Sequence, residues 1–176
     1  MDAVTRPIVT LADLPLDQWE QGAFYQAADA SFGQRIGLKG LGASYNEVPP
    51  GKSSCPFHNH HVEDEMFIVL AGEGTYRFGS ARYAVKAGDV LGAPAGGPDT
   101  AHQLINTGST PLRYIGVSTM AATEVCEYPD SGKFQVSSRA GAGQPERHFH
   151  DIPGRLRHMS RGTETSLDYW DGEPGA

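Results

Sequence analysis

Two histidines stand two positions apart in the stretch CPFHNHHVEDEMFIVLAGEG, residues 55–74. On a strand, positions i and i+2 share a face, so His58 and His60 point the same way, about 7 Å apart along the backbone. Asn59 and His61 point the other way. Two imidazoles so placed can converge on one metal ion. The polar segment HVED, residues 61–64, reads as a loop that returns the chain, so that Glu65 opens the next strand beside His60. On that strand Glu65, Phe67 and Val69 share one face and Met66, Ile68 and Leu70 the other, so burial on both sides is expected. A carboxylate at its mouth needs a cation or hydrogen-bond donors, because a bare buried charge is too costly. A metal held by two imidazoles supplies the cation. Glu63 and Asp64 compete with Glu65 for this role, and His61 is expected at the surface or behind the ligands.

A third nitrogen ligand must come from elsewhere. Of His102, His148, His150 and His158, only His102 lies in a strand pattern, HQLIN. Three imidazoles and one carboxylate suit one divalent transition metal, Fe, Mn, Ni or Zn, and disfavour Cu(I), which prefers sulfur. A metal with open positions can polarise a carbonyl or stabilise an enediolate, and iron can also bind dioxygen. Tyr76, Tyr83 and Tyr114 are candidates for polar contacts, but no general base stands out beyond the ligands.

The elements that must position these residues are short. Candidate strands are 55–60, 65–71, 75–79, 82–86, 89–93, 102–106 and 112–119, separated by turn signals such as GEG at 72–74 and NTGSTP at 106–111. That rhythm argues for an all-β sandwich or barrel. Ahead of it, LADLPLDQWEQG reads as a turn plus a short helical piece, and RIGLKGLGASYNEVPPG can hold one or two strands. Residues 129–176 are polar and broken by Gly and Pro, which reads as an extended arm with Tyr169 and Trp170 able to dock on the body. Arg139, Arg147, Arg155, Arg157 and Arg161 lie in that arm, as a solvated face or as a clamp for an anionic ligand. The division is therefore 1–45 lead-in, 46–125 barrel and 126–176 C-terminal extension.

Composition bounds the partners. The 176 residues suit one domain, and 22 glycines with 12 prolines favour many turns. A net charge of −7 makes nucleic acid a poor partner. Two cysteines, Cys55 and Cys126, make no disulfide framework, and Cys55 lies close to the histidines. No apolar run is long enough to span a membrane, and the first residues lack a signal peptide's core, so a cytoplasmic protein is expected.

The sequence resembles the cupin superfamily in two motifs. The first is a glycine, His-x-His, a glutamate after three or four residues and, after six more residues, a glycine; Gly51, His58, His60, Glu65 and Gly72 match it. Six residues rather than the usual five separate Gly51 from His58. The second is matched by Gly88, Pro94, Gly96, His102 and Asn106, with a loop three residues longer than usual before His102. The resemblance covers roughly residues 45–120. It implies a small antiparallel β-barrel of the double-stranded β-helix (jelly-roll) type, with one metal held by His58, His60, Glu65 and His102. It also implies a homodimer in which N-terminal strands cross to the partner, for which 35–48 is the candidate. Members of the superfamily include isomerases, dioxygenases and binding proteins. The polar motif loops and the arginines favour a metal-dependent isomerase or epimerase on a sugar or sugar phosphate. An iron dioxygenase, with Phe57, Phe67, Tyr76 and Phe78 lining a more apolar cavity, is the alternative. A non-catalytic small-molecule-binding protein is the third.

Overall fold

The computed structural model describes residues 6–138, 156–162 and 166–167. Thirteen strands carry the fold among them: β1 (Asp17–Gln21), β2 (Tyr25–Ser31), β3 (Leu41–Val48), β4 (Asn59–His60), β5 (Glu65–Ala71), β6 (Glu73–Phe78), β7 (Ala81–Lys86), β8 (Val90–Ala93), β9 (His102–Ile105), β10 (Leu112–Thr119), β11 (Thr123–Tyr128), β12 (Lys133–Ser138) and β13 (Leu156–Arg161). All named strand pairs are antiparallel. The structure is of the expected all-β, jelly-roll type. The expected strands from 65 to 119 are present, with shifts of one or two residues at some ends; 55–60 shrinks to β4.

Among the described residues the pairing does not close into one continuous barrel. It gives a six-stranded sheet in the order β1-β2-β3-β10-β5-β8, a four-stranded sheet β13-β12-β11-β4 and a three-stranded sheet β7-β6-β9. Isolated bridges join the margins, among them His58 to His102. The main core lies between the sheets and contains Val48, Val69, Tyr76, Val85, Leu91, Leu104, Leu112 and Tyr114. A smaller cluster of Leu14, Ala30, Phe32 and Tyr45 lies where the N-terminal segment covers part of the large sheet's outer face.

Several expectations are corrected. Within LADLPLDQWEQG the expected helical piece is the single 3₁₀ turn Leu11–Asp13, and DQWEQ forms β1; only Trp19 in that strand is even half-buried, so no apolar periodicity marks it as a strand. The supposed arm supplies β12 and β13, which extend the sheet that carries His60. Arg139, Arg147, Arg155, His148, His150, Tyr169 and Trp170 lie outside the described residues. β5 is not buried on both faces, because Met66 and Leu70 are 38% and 41% exposed on the outer face of the large sheet. β3 pairs with β2 and β10 of its own chain, so a strand exchange at 41–48 would have to release one of them. No helix among the described residues is long and apolar enough to cross a membrane.

The tight turn after β5 depends on Gly72. Its φ is +81°, and an added Cβ would lie 2.6 Å from the Pro111 carbonyl oxygen. Gly72→Ala is therefore expected to cost roughly 2 kcal/mol or more in urea unfolding, through left-handed strain plus a clash with backbone. Gly92→Ala, where φ is ordinary and nothing lies within 4 Å, should stay close to wild type.

Candidate metal centre

Each sheet delivers part of one cluster. Glu65 opens β5 in the large sheet, His102 opens β9 in the three-stranded sheet, and His58 and His60 come from the β4 region of the four-stranded sheet. The backbone locks two of them together: His58 N–H donates to the His102 carbonyl at 3.1 Å and His102 N–H to the His58 carbonyl at 2.7 Å. The longer loop before His102 forms a short 3₁₀ turn, Pro98–Thr100, and leaves His102 only 2% exposed and aimed inward. The motif's closing Asn106 is structural, donating to the Val48 and Thr110 carbonyls at 2.8 Å each.

The side chains meet at Glu65. Its Oε2 lies 2.9 Å from His102 Nε2, 3.4 Å from His60 Nε2 and 3.7 Å from His58 Nε2. One ligand atom from each of the four residues lies within 4.8 Å of the others. The opposite ring nitrogens fix two orientations: Nδ1 of His58 sits 2.8 Å from the Pro56 carbonyl and that of His102 3.3 Å from the Thr100 carbonyl. Donation there leaves Nε2 to face the cluster. Both nitrogens of His60 are buried without a hydrogen-bond partner. Buried polar atoms rarely go unpaired. An ion among the four residues would satisfy His60 Nε2, so the donor set fits a divalent metal. Glu65 is 20% exposed, which leaves the cluster open on its side.

Charge is balanced within the cluster even without an ion. For Glu65, burial works to raise the pKa, but the neighbouring imidazoles, His102 first and then His58 and His60, outweigh it and hold the carboxyl well below its usual range. For His58, burial works downward, but hydrogen bonds to Cys55 and Glu65 outweigh it and hold the ring well above the ordinary imidazole value. Burial pushes His102 down, so it stays neutral. Burial also pushes the Cys126 thiol up, which makes it a neutral neighbour rather than a thiolate ligand.

The competing carboxylates have other partners. Asp64 Oδ1 accepts from Ala95 N–H at 2.8 Å, and Glu63 Oε1 from Ala121 N–H at 2.8 Å. His61 turns away, with Nε2 3.2 Å from Glu127 Oε2. Sequence reasoning missed Glu124. Its carboxylate accepts from the backbone N–H groups of His61, Val62 and Glu63 at 2.9, 3.3 and 2.7 Å, fastening the loop between His60 and Glu65. It also missed Tyr128, whose ring stacks on His58 with centroids 6.1 Å apart. The tyrosines singled out earlier are engaged elsewhere: Tyr76 O–H donates to the Gly92 carbonyl, Tyr114 O–H pairs with Ser54, and Tyr83 is exposed. Phe57 lies under the Arg77 guanidinium and Phe78 packs on the core. Of the four aromatics expected to line a cavity, Phe67 and Tyr76 approach the cluster, with ring centroids 5.6 and 6.4 Å from that of His102.

Residues 44–118, the span that brings these four side chains together, match the family profile described as the cupin domain. Residues 44–118 are a cupin domain. A curated relative is the oxalate-binding protein of Thermotoga maritima, 37% identical over 71 residues, which is 40% of this chain and 55% of the relative. The chain thus spans little more than half the length of that relative. Among solved structures, a cupin-superfamily sugar phosphate isomerase of Silicibacter pomeroyi superposes with a TM-score of 0.66 at 22% identity, covering 81% of each chain. A protein described as a predicted oxalate decarboxylase of Thermotoga maritima gives a TM-score of 0.56 at 24% identity, covering 65% of this chain and 99% of the other. At these identities the superpositions speak to the cupin fold alone.

Proposed function

We propose that this cupin is a metal-dependent enzyme acting on a small polar substrate of the sugar or sugar-phosphate class, by isomerisation or epimerisation. The observation that carries the reading is the convergence of three imidazole Nε2 atoms on one Glu65 oxygen, in a cluster left open on the Glu65 side. His58, His60, His102 and Glu65 would hold one divalent ion, which supplies a Lewis acid able to polarise a carbonyl and stabilise an enediolate. The chain's own residues do the rest. Phe67 and Tyr76 floor the cluster and keep water from that side. Burial holds the Tyr128 phenol well above its ordinary pKa, so at neutral pH it keeps its proton and can donate a hydrogen bond to a substrate oxygen beside His58. Support comes also from the fold neighbour named a sugar phosphate isomerase.

An iron dioxygenase with an apolar cavity is less well served, because Phe57 and Phe78 are spent on Arg77 and on the core. A simple binding role for a small dianion draws on the relative named an oxalate-binding protein. Elemental analysis of the purified chain, followed by proton exchange from solvent D2O into aldose and ketose phosphates, tests the proposal. Bound metal with exchange supports it. Oxygen uptake with iron restored would move the reading to a dioxygenase, and metal without turnover to a binding protein.

The reading includes a homodimer. Met66, Leu70 and Val90 are exposed on the outer face of the large sheet, an apolar strip suited to a second copy. A sedimentation mass of one chain at micromolar concentration would remove this part.

A further inference from the structure

The four-stranded sheet continues away from the metal cluster as ordered rows of side chains. Residues directly opposite on paired strands share a face. Cys126 opposes His60, Gln135 opposes Cys126, and Met159 opposes Gln135. One step along, Tyr128 stacks on His58, Lys133 opposes Tyr128, and Arg161 opposes Lys133. On the other side, Ser137 opposes Glu124 and Arg157 opposes Ser137. The face that carries the metal-facing histidines therefore carries Lys133, Arg157 and Arg161 at its far margin.

This face is polar where a core strand would be apolar. Gln135 is 1% exposed and Ser137 3%. Arg157 Nε donates to Gln135 Oε1 at 2.7 Å, which draws the guanidinium inward, and Lys133 Nζ lies 5.3 Å from the centroid of the Tyr128 ring, on the way to His58. Neither Lys133 nor Arg161 is in an ion pair among the described residues. The nearest acid on this face, Glu124, is engaged by three backbone N–H groups. In a chain of net charge −7, three cations on two adjacent strands make a local positive field beside the cluster.

We propose that Lys133, Arg157 and Arg161 form the anion-binding end of the substrate site and receive a phosphomonoester whose carbon chain reaches back to the metal. This rests on the metal-site reading above and names its substrate class. From β4 to β12 is two strand spacings, about 10 Å. A two-carbon dianion at the metal is too short to reach Lys133, whereas a terminal phosphate on a sugar of several carbons spans the gap. Guanidinium forks and an ammonium suit the oxygens of phosphate.

The full chain loaded with zinc is titrated with fructose 6-phosphate, fructose and oxalate, in wild type and in Lys133→Gln/Arg161→Gln. The double variant is expected to bind fructose 6-phosphate at least tenfold more weakly, with oxalate affinity and zinc content unchanged within twofold. An equal loss for oxalate overturns the proposal, as does wild type that binds fructose 6-phosphate no better than fructose. Adipate binding more tightly than the sugar phosphate overturns the phosphate assignment. Inorganic phosphate, followed by phosphorus NMR with the metal-free His60→Ala chain, separates the two readings. Binding that disappears when the Lys133 and Arg161 substitutions are added supports the anion site whatever becomes of the metal, and no binding sinks it. Zinc retained by His60→Ala would instead count against the metal site.

Discussion

Removing the ion with a chelator should lower the melting temperature of the metal-loaded chain by about 10 °C. A ligand that binds only the folded state contributes about 4 kcal/mol at a thousandfold excess over its Kd, and in a chain of this size each kcal/mol moves Tm by about 2–4 °C. His60→Ala should lose the metal and most of that gain. His61→Ala should keep both, because His61 faces Glu127 on the other side of the strand. Calorimetry with and without chelator decides, and identical behaviour of the two variants would refute the face assignment. The gap should widen with pH. In the ion-free chain the raised pKa of His58 gives a contribution that is complete below the ordinary imidazole value, about 6.5, and is lost as pH rises through the higher folded value. The lowered pKa of Glu65 gives one present above the ordinary carboxyl range and lost only as pH falls through the folded value. Metal must displace the His58 proton, so its affinity rises about tenfold per pH unit over that window. The metal-loaded chain therefore gains stability where the ion-free chain loses it.

Glu124→Ala should weaken both the fold and the metal site. It strips one carboxylate from three successive backbone N–H groups; the His61 N–H keeps the Val125 carbonyl at 2.9 Å, while those of Val62 and Glu63 lose their acceptor, and a buried donor so left costs about 1–3 kcal/mol. A loss of about 2 kcal/mol in urea unfolding of the metal-free chain is expected. The freed loop is the one that joins His60 to Glu65, so the variant should also hold metal more weakly than its stability alone requires. Glu124→Gln, which keeps an acceptor oxygen, should fall between. A Glu124→Ala chain less than about 1 kcal/mol below wild type would show that the N–H groups find other partners.

The sequence made the site more legible than its surroundings. A strand's period of two is enough to put His58 and His60 on one face, and an acid opening an apolar strand needs a cation, so this half of the cluster followed from local rules, whereas Glu65 over Glu63 and Asp64, and His102 as the fourth member, rested on the motif resemblance. Glu124 did neither, because a carboxylate that caps backbone N–H groups some sixty residues away leaves no spacing signal. β12 and β13 were invisible for a different reason. Strands are recognised by apolar residues turned inward, and here the inward residues are Lys133, Gln135, Ser137 and Arg157. A strand that lines a polar site inverts the usual pattern and reads as a solvated arm. β1 failed more simply, since an edge strand with little burial has no pattern to invert.

The meeting of three sheets at one cluster has a kinetic consequence. An ion needs Glu65, His102 and the β4 histidines together, and they come together only when the His58–His102 backbone pair has closed across a long stretch of chain. Such distant closures come late in folding, because their loop entropy must be met before the contacts form. An ion that binds after the rate-limiting barrier cannot hasten the climb, but it deepens the well beyond it. In a chevron plot, added metal should leave the refolding limb in place and lower the unfolding limb. The ion would act as a latch on a finished structure, lengthening its lifetime without shortening the time taken to form it.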